Sequence, residues 1–188
     1  MNNLQISHAK LALQLGRPAR VWPDTPFYDR LCTDKSWVAE PKKNGWRCLA
    51  CAGLSPAKPA LWSRHGRQIE KPYAELRDTL AKLPQAQLDG ELMLKSGELW
   101  VFDALSIEGE SLLLLPYTER RALLQAYVQG TNLRLMPSWE DRSKREGYDV
   151  AVKDGDEGIV FKRRDSSYPS GKTHDWIKCR FSLLEEGV

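Results

Sequence analysis

The apolar residues of this chain come in short runs, and this limits what the chain can form. The longest uninterrupted aliphatic run, Leu112–Leu115, is far shorter than the roughly 20 residues that a membrane-spanning helix needs. Turn-forming residues separate the other apolar segments, and no internal repeat or low-complexity tract occurs. The pattern therefore predicts one mixed domain, because 188 residues are enough to bury a core.

The charge balance and the cysteines further limit the class of protein to which this chain can belong. The chain carries 28 Lys and Arg against 25 Asp and Glu, a balance of +3 that permits contact with phosphates without requiring it. Residues 1–16 lack a basic head followed by an apolar block, so we expect a cytoplasmic protein with no membrane partner. Cys48 and Cys51 form a CxxC, but no second Cys pair or nearby His completes a zinc site.

Apolar periodicity and turn residues predict an antiparallel α+β fold. Strands are predicted at Trp37–Glu40, Trp46–Ala52 and Ala60–Arg64 as neighbours in one sheet, at Gln87–Leu94 and Glu98–Leu105 as a hairpin, and at Gly158–Lys162 and Asp175–Phe181. Helices are predicted around Ala9, Leu11, Leu13 and Leu15, after Pro72 with Tyr73, Leu76, Leu80 and Leu83, and at Tyr117–Val128 with Leu123, Leu124 and Tyr127 inward. An irregular stretch is predicted around Pro18, Pro23 and Pro26.

The most informative segment is WVAEPKKNGWR, in which Lys42 follows a strand and precedes the turn Asn44-Gly45. Alone, this lysine would be a solvated loop charge. Four further motifs and an aromatic-acid step follow in order: SRHGR at Ser63–Arg67, LDGEL at Leu88–Leu92, Phe102-Asp103, EGIVFK at Glu157–Lys162 and WIKCR at Trp176–Arg180.

From Glu40 to Arg180, this ordered set resembles the covalent nucleotidyltransferase superfamily of ATP-dependent DNA ligases, RNA ligases and mRNA capping enzymes. Their nucleophile motif is KxDGxR. The resemblance implies an antiparallel-sheet, ATP-grasp-like nucleotidyltransferase domain with flanking helices. It also implies that Lys42 is the catalytic residue, which attacks the α-phosphate of ATP, forms a covalent lysyl-AMP and expels pyrophosphate. AMP would then pass to a 5′-phosphate at a nick, where a 3′-hydroxyl displaces it.

The resemblance assigns several motif residues to the nucleoside. Glu40, two residues before the nucleophile, would accept the adenine amino hydrogens. Phe102 would stack on the base, a role that suits a flat apolar ring. The ribose and the approach to the phosphates would be surrounded by Arg47, Arg64 and Glu91.

Other motif residues are assigned to the phosphates. Lys178 and Arg180 would clamp the α-phosphate, and Lys162 is a further candidate cation. We expect these cations to favour the neutral, nucleophilic form of the motif lysine. Glu157 and Glu91 would hold a divalent cation, Mg²⁺ or Mn²⁺, for which carboxylate oxygen is a preferred ligand.

Three departures from the family pattern matter. Asn44 stands where most DNA ligases have Asp, which removes a charge beside the nucleophile. Arg180 replaces the usual second lysine and keeps a cation. The sequence ends eight residues after Arg180, where ligases and capping enzymes continue into an OB-type barrel. We therefore expect residues 1–188 to be a single adenylation domain without the OB barrel, which a partner protein or a missing domain would supply.

The motif letters favour a DNA ligase. EPK, SRxG, LDGEL and EGIV are typical of that branch, so nicked DNA is the expected polynucleotide, with RNA as an alternative. A second hypothesis within the enzyme class is that the chain is an RNA ligase or a GTP-using capping guanylyltransferase. A reading of another class is a non-catalytic nucleotide-binding or nucleic-acid-binding module, which the Asn44 departure motivates.

Overall fold

The computed structural model describes residues 8, 10–23, 25–53, 59–71 and 73–181. The strands in this part of the chain are β1 (Arg17–Val21), β2 (Trp37–Lys42), β3 (Trp46–Ala52), β4 (Ala60–Ser63), β5 (Ala86–Leu92), β6 (Leu99–Ile107), β7 (Glu110–Ser111), β8 (Arg134–Leu135), β9 (Gly158–Arg163) and β10 (Lys172–Arg180). The helices are α1 (Pro26–Thr33), α2 (Ala74–Lys82), α3 (Tyr117–Val128) and α4 (Ser143–Lys153).

The strands form two sheets. The first has the order β1-β10-β9-β2, and the second has the order β4-β3-β5-β6-β7, with β8 beside β6. Most neighbouring strands are antiparallel, while β1 with β10 and β8 with β6 are parallel. The predicted α+β fold with antiparallel sheets is thus confirmed.

The two sheets pack face to face. Leu49, Cys51 and Trp176 belong to an inner core cluster between them. The outer face of the second sheet is covered by α2 and α3, and the outer face of the first sheet by α1 and α4. Successive residues of a strand point to opposite faces, so Cys48 packs in the outer cluster, apart from Cys51. The two thiols of the CxxC therefore cannot share a zinc ion.

The prediction that β2 and β3 are neighbours is wrong. β2 pairs with β9 in the first sheet, and β3 pairs with β4 and β5 in the second. The Asn44-Gly45 turn therefore carries the chain between sheets instead of closing a hairpin. A Cβ atom at Gly45 would lie 2.6 Å from the carbonyl oxygen of Leu92, so this crossing requires a glycine.

Locally encoded elements are confirmed. β5 and β6 form the predicted hairpin, and α3 has the predicted bounds. Within α3, Leu124 is buried as expected, but Leu123 is 43% exposed because it lies on the outer side of the helix. Residues 10–13 are helical, although Leu13 is exposed, while Ala9 and Pro72 lie outside the described residues.

Besides the two-residue strands β7 and β8, three elements were missed. β1 forms in the stretch predicted to be irregular, because Pro18 lies on an edge strand, where a missing N–H is tolerated. The N-cap of α1 is Thr25, whose hydroxyl accepts a hydrogen bond from the Tyr28 N–H, and Pro26 lies in the first turn. This is an ordinary helix start signal. α4 lacks a side-chain cap, which left its start without a clear signal.

No helix in the described part of the chain is both long enough and apolar enough to cross a membrane.

Candidate active site

The motif residues meet in the cleft between the two sheets. Strand alternation turns Ala39 into the outer core and places Glu40 and Lys42 on the inner face of β2. On β10, Ile177 and Cys179 are likewise in the outer core, so the alternate residues face the cleft. These alternate residues are Trp176, Lys178 and Arg180. One face of the first sheet thus carries both the lysine and the cations that the motifs predicted.

Lys42 lies at the end of β2, in contact with Glu157. Its Nζ donates a hydrogen bond to Glu157 Oε2, and the Glu157 N–H donates to the Lys42 carbonyl oxygen at 2.8 Å. Arg180 Nη2 lies 3.5 Å from the same Oε2 atom. The side chains of Lys42 and Glu157 are 21% and 25% exposed, so a ligand in the cleft can reach both.

Glu91 faces Lys42 from the second sheet. Its Oε1 accepts a hydrogen bond from the Gly45 N–H at 3.1 Å. Burial raises the pKa of the Glu91 carboxyl from 4.5 to about 7, and the charge of Glu157 acts in the same direction, against Lys42 and Arg47. Two carboxylates that repel each other beside the predicted phosphate-binding residues suit a divalent cation.

The donor set fits Mg²⁺ bound jointly with a substrate. Mg²⁺ is usually held by one or two carboxylates together with substrate phosphates and water. Within the described residues, no group of three or more His, Cys, Asp or Glu is arranged to hold a metal by itself. Glu91 and Glu157 therefore match a shared site better than a closed protein site.

The raised pKa of Glu91 predicts a pH-dependent stability. The folded chain binds this proton more tightly than the unfolded chain does. The stabilisation is therefore complete below pH 4.5 and is lost as the pH rises through about 7. In metal-free buffer, we expect urea unfolding to show a loss of up to about 3 kcal/mol across this window, and Glu91→Gln to remove it. Glu98→Gln, at an exposed ion pair with Arg134, is the control and should keep the pH dependence of the free energy of unfolding. If Glu91→Gln kept the same pH dependence, the raised pKa would not belong to Glu91.

Glu40 lies deeper in the cleft, where each of its carboxylate oxygens contacts a neighbouring side chain. Its Oε1 accepts a hydrogen bond from the Tyr117 hydroxyl at 2.5 Å, and its Oε2 lies 2.7 Å from Lys162 Nζ. Lys162 also donates to the Phe102 carbonyl oxygen at 2.8 Å. Glu40 and Lys162 are almost completely buried, so this is an internal ion pair between β2 and β9, and Lys162 links it to β6.

Phe102 and Trp176 form an aromatic wall beside this ion pair. Their rings meet edge to face, with centroids 6.2 Å apart. Lys162 Nζ lies 4.7 Å from the Phe102 ring centroid and 4.6 Å from the Trp176 ring centroid. Phe102 is only partly buried. An aromatic surface next to a hydrogen-bonding carboxylate is the combination that a purine base needs.

Arg47 reaches the cleft from the second sheet. Its guanidinium forks onto Asp89, with Nε to Oδ1 at 3.0 Å and Nη2 to Oδ2 at 2.5 Å, and it lies 5.5 Å from the Phe102 ring centroid. Asp89 also accepts a hydrogen bond from the Tyr168 hydroxyl at 2.7 Å. Asp89 is fully buried and orients the arginine, whereas Arg64 lies exposed in the turn after β4.

The cleft is strongly cationic around Lys178. Burial and the charges of neighbouring side chains lower the pKa of the Lys178 ammonium. Those neighbours are Arg180, Arg20, Lys42 and Arg64. Three of the four are motif residues, so the structure brings part of the predicted set of cations together around Lys178.

Sequence reasoning missed several residues of this cleft. Arg20 was overlooked because β1 was predicted to be irregular. Tyr117 was assigned only to a helix, and Tyr168 carried no motif signal. Trp176 lies within WIKCR, and its place on the inner face follows from strand alternation, so the signal for it was present in the sequence.

The comparisons with known proteins point to one family. Residues 93–180 match the family described as ATP dependent DNA ligase domain. The multifunctional non-homologous end joining DNA repair protein LigD of Mycobacterium tuberculosis is 31% identical over 173 residues, which cover 81% of this chain and 22% of that protein. The LigD protein of Pseudomonas aeruginosa is 30% identical over 178 residues, with 81% and 21% covered. The chain spans about a fifth of the length of these relatives.

Solved structures show the same likeness. The ligase domain of M. tuberculosis LigD superposes with a TM-score of 0.70 at 28% identity, over 88% of this chain and 59% of that one. The mycobacterial DNA ligase D complexed with ATP and MES gives a TM-score of 0.68 at 28% identity, over 87% and 60%. The Chlorella virus DNA ligase-adenylate shares the fold, with a TM-score of 0.58 at 13% identity over 88% of this chain and 69% of that one.

Proposed function

The chain belongs to the ATP-dependent DNA ligase family as an adenylation domain, and on this premise we propose that Lys42 is the residue that accepts AMP. In the proposed step, the neutral Nζ attacks the α-phosphorus of ATP, an N–P bond forms, and the P–O bond to the leaving pyrophosphate breaks. AMP then passes to the 5′-phosphate of nicked DNA, where a 3′-hydroxyl displaces it and seals the nick.

The observation that carries this proposal is the contact between Lys42 and Glu157 at the edge of a cationic cleft. The ammonium must lose a proton before Nζ can attack, and Glu157 Oε2 is in hydrogen-bond contact with it. Lys178 and Arg180, on the same inner face, would then stabilise the charge on the α-phosphate. Their positions on rigid strands keep this electrostatic support in place without reorganisation.

Glu91 and Glu157 would hold the divalent cation, Mg²⁺ or Mn²⁺. When bound, such an ion neutralises charge on the phosphates during transfer. Arg47 and Arg64 would face the ribose and the phosphates, and Lys162 would act on the nucleotide only through Glu40 and Phe102.

We predict that ATP is preferred over GTP because of Glu40. A carboxylate accepts the adenine amino hydrogens but would repel the guanine oxygen, a mismatch that costs about 1–3 kcal/mol, or roughly one to two decades in binding. We expect Glu40→Gln to reduce the ratio of kcat/KM values for labelling with ATP and GTP, since the amide can donate to guanine.

Glutamine keeps the shape that Tyr117 and Lys162 contact but leaves the buried Lys162 ammonium without its counter-ion, so urea unfolding of Glu40→Gln must accompany the labelling assay. Glu98→Gln serves as the exposed control and should leave the ratio unchanged. Equal labelling of the wild-type chain by both nucleotides would show that Glu40 does not read the base.

Mass spectrometry of the intact protein tests the proposed function. After incubation with ATP and Mg²⁺, we expect an added AMP mass that survives denaturation and maps to the peptide containing Lys42. A GMP adduct with GTP instead would indicate a capping-type enzyme. No adduct under either condition would favour the non-catalytic binding module. The matched relatives are DNA ligases, so neither alternative is favoured.

We propose nicked DNA as the substrate. An assay that measures the sealing of a nick, with RNA as the comparison substrate, tests this proposal. In this scheme a further domain or a partner protein supplies the OB barrel, and that expectation, like the cytoplasmic location, stays a prediction.

A further inference from the structure

Arg20 is a cation of the cleft that lies outside every sequence motif. β1 runs parallel beside β10, and in this pairing Arg20 lies opposite Lys178. The next pair, Val21 and Cys179, belongs to the outer core. Strand alternation therefore places Arg20 and Lys178 together on the inner face, where the nucleotide would bind.

The strand order gives Arg20 a position relative to the nucleophile. The first sheet runs β2, β9, β10, β1, so Lys42 is on one edge strand and Arg20 is on the other. Neighbouring strands lie about 4.8 Å apart, which separates the two edge strands by about 14 Å. Lys178 and Arg180 occupy the space between them, on β10.

In-line phosphoryl transfer places the attacking atom and the leaving group on opposite sides of the phosphorus. With Lys42 attacking from β2 and the α-phosphate held by β10, the pyrophosphate leaves in the direction of β1. We propose that Arg20 binds the β- and γ-phosphates of ATP and the departing pyrophosphate. This inference rests on the proposed function, since it requires ATP to react at Lys42.

The character of the side chain supports this assignment. The Arg20 guanidinium lies 5.1 Å from the centroid of the Trp22 ring, and the arginine is exposed. Its charge contributes to the lowered pKa of Lys178, so the two groups are electrostatically coupled. Arginine also presents a fork of N–H donors that matches phosphate oxygens.

The reverse reaction isolates this contact. We would prepare the lysyl-AMP form of the Arg20→Ala variant and measure how much pyrophosphate is needed to regenerate ATP. We expect the half-saturating pyrophosphate concentration to rise about tenfold. The affinity for AMP, which has no β- or γ-phosphate, should stay unchanged. Arg20→Lys should restore part of the pyrophosphate response, because it keeps the charge without the fork.

Arg17→Ala is the matched control, because Arg17 is an exposed arginine on the same strand but lies opposite Lys172, away from the cationic group. It should behave as the wild-type chain. Equal behaviour of Arg20→Ala and Arg17→Ala would overturn the inference, and so would weaker AMP binding, which indicates a structural role. Weaker binding of nicked DNA with a normal pyrophosphate response would assign Arg20 to the polynucleotide instead. A wild-type chain that never forms lysyl-AMP would overturn the proposed function itself.

Discussion

Lys42→Ala is expected to abolish covalent labelling by ATP while leaving the chain folded. Within the described residues, Lys42 supplies the only amine in contact with Glu157, and the substitution removes it. An arginine at position 42 could not replace this amine, because a guanidinium stays protonated. Stability should change by less than about 1 kcal/mol, since the lost ion pair is partly exposed. Labelled ATP, denaturing gels and urea unfolding measure the two quantities on the same preparation.

The adjacent lysine provides a close control. Lys43 also forms an ion pair, with its Nζ 2.9 Å from Asp156, and it lies 4.9 Å from the centroid of the Trp100 ring. Lys43→Ala removes the same charge one residue away and should keep the covalent label. A Lys42→Ala variant that still becomes labelled, at Lys43 or elsewhere, would refute the assignment of the nucleophile.

Asp103→Ala is expected to cause the largest loss of stability, about 3–5 kcal/mol of the free energy of unfolding. Asp103 receives a two-point contact from Arg120, with Nε to Oδ1 at 2.8 Å and Nη2 to Oδ2 at 3.0 Å, and both side chains are at most 1% exposed. Arg120 also donates to the carbonyl oxygens of Leu115 and Ser166. Removing the carboxylate leaves this charge buried without its counter-ion.

An exposed ion pair separates burial from charge in this experiment. Asp29 contacts Arg145 at 2.6 Å, but the two side chains are 55% and 56% exposed. Asp29→Ala should therefore cost less than about 1 kcal/mol in the same urea titration. If Asp103→Ala costs no more than Asp29→Ala, then the buried pair does not contribute as its geometry indicates.

Local signals predicted the parts of the fold that short stretches of sequence encode. The β5–β6 hairpin depends on the turn Lys95-Ser96-Gly97, and α3 depends on helical spacing within one segment, so both were found. The partner of β2 was not found, because the Asn44-Gly45 turn is typical of a hairpin, while the real partner lies more than 100 residues later. Pairing over that distance is decided by how the two sheets bury their faces.

The candidate site likewise has one part that the sequence predicted and another part that only the structure shows. Motif order predicted Lys42 and Glu157 as site residues, and the structure brings the two side chains into contact. The motif pattern could not show that Asp89 and Tyr117 orient Arg47 and Glu40, because such contacts join distant strands and helices. Their chemistry is visible only when the distances between them are known.

The pairing of β2 with β9 also fixes when Lys42, the proposed nucleophile, can be positioned during synthesis. The strands β3, β4, β5 and β6 are close in sequence, so the second sheet can form early from a growing chain. The first sheet cannot, because β1 and β2 each wait for a strand that follows residue 157. A nascent chain that is still short of Gly158 would hold one folded sheet, and Lys42 would have no strand of its own sheet beside it. If Lys42 accepts AMP as proposed, formation of lysyl-AMP would therefore report on the late folding of the first sheet.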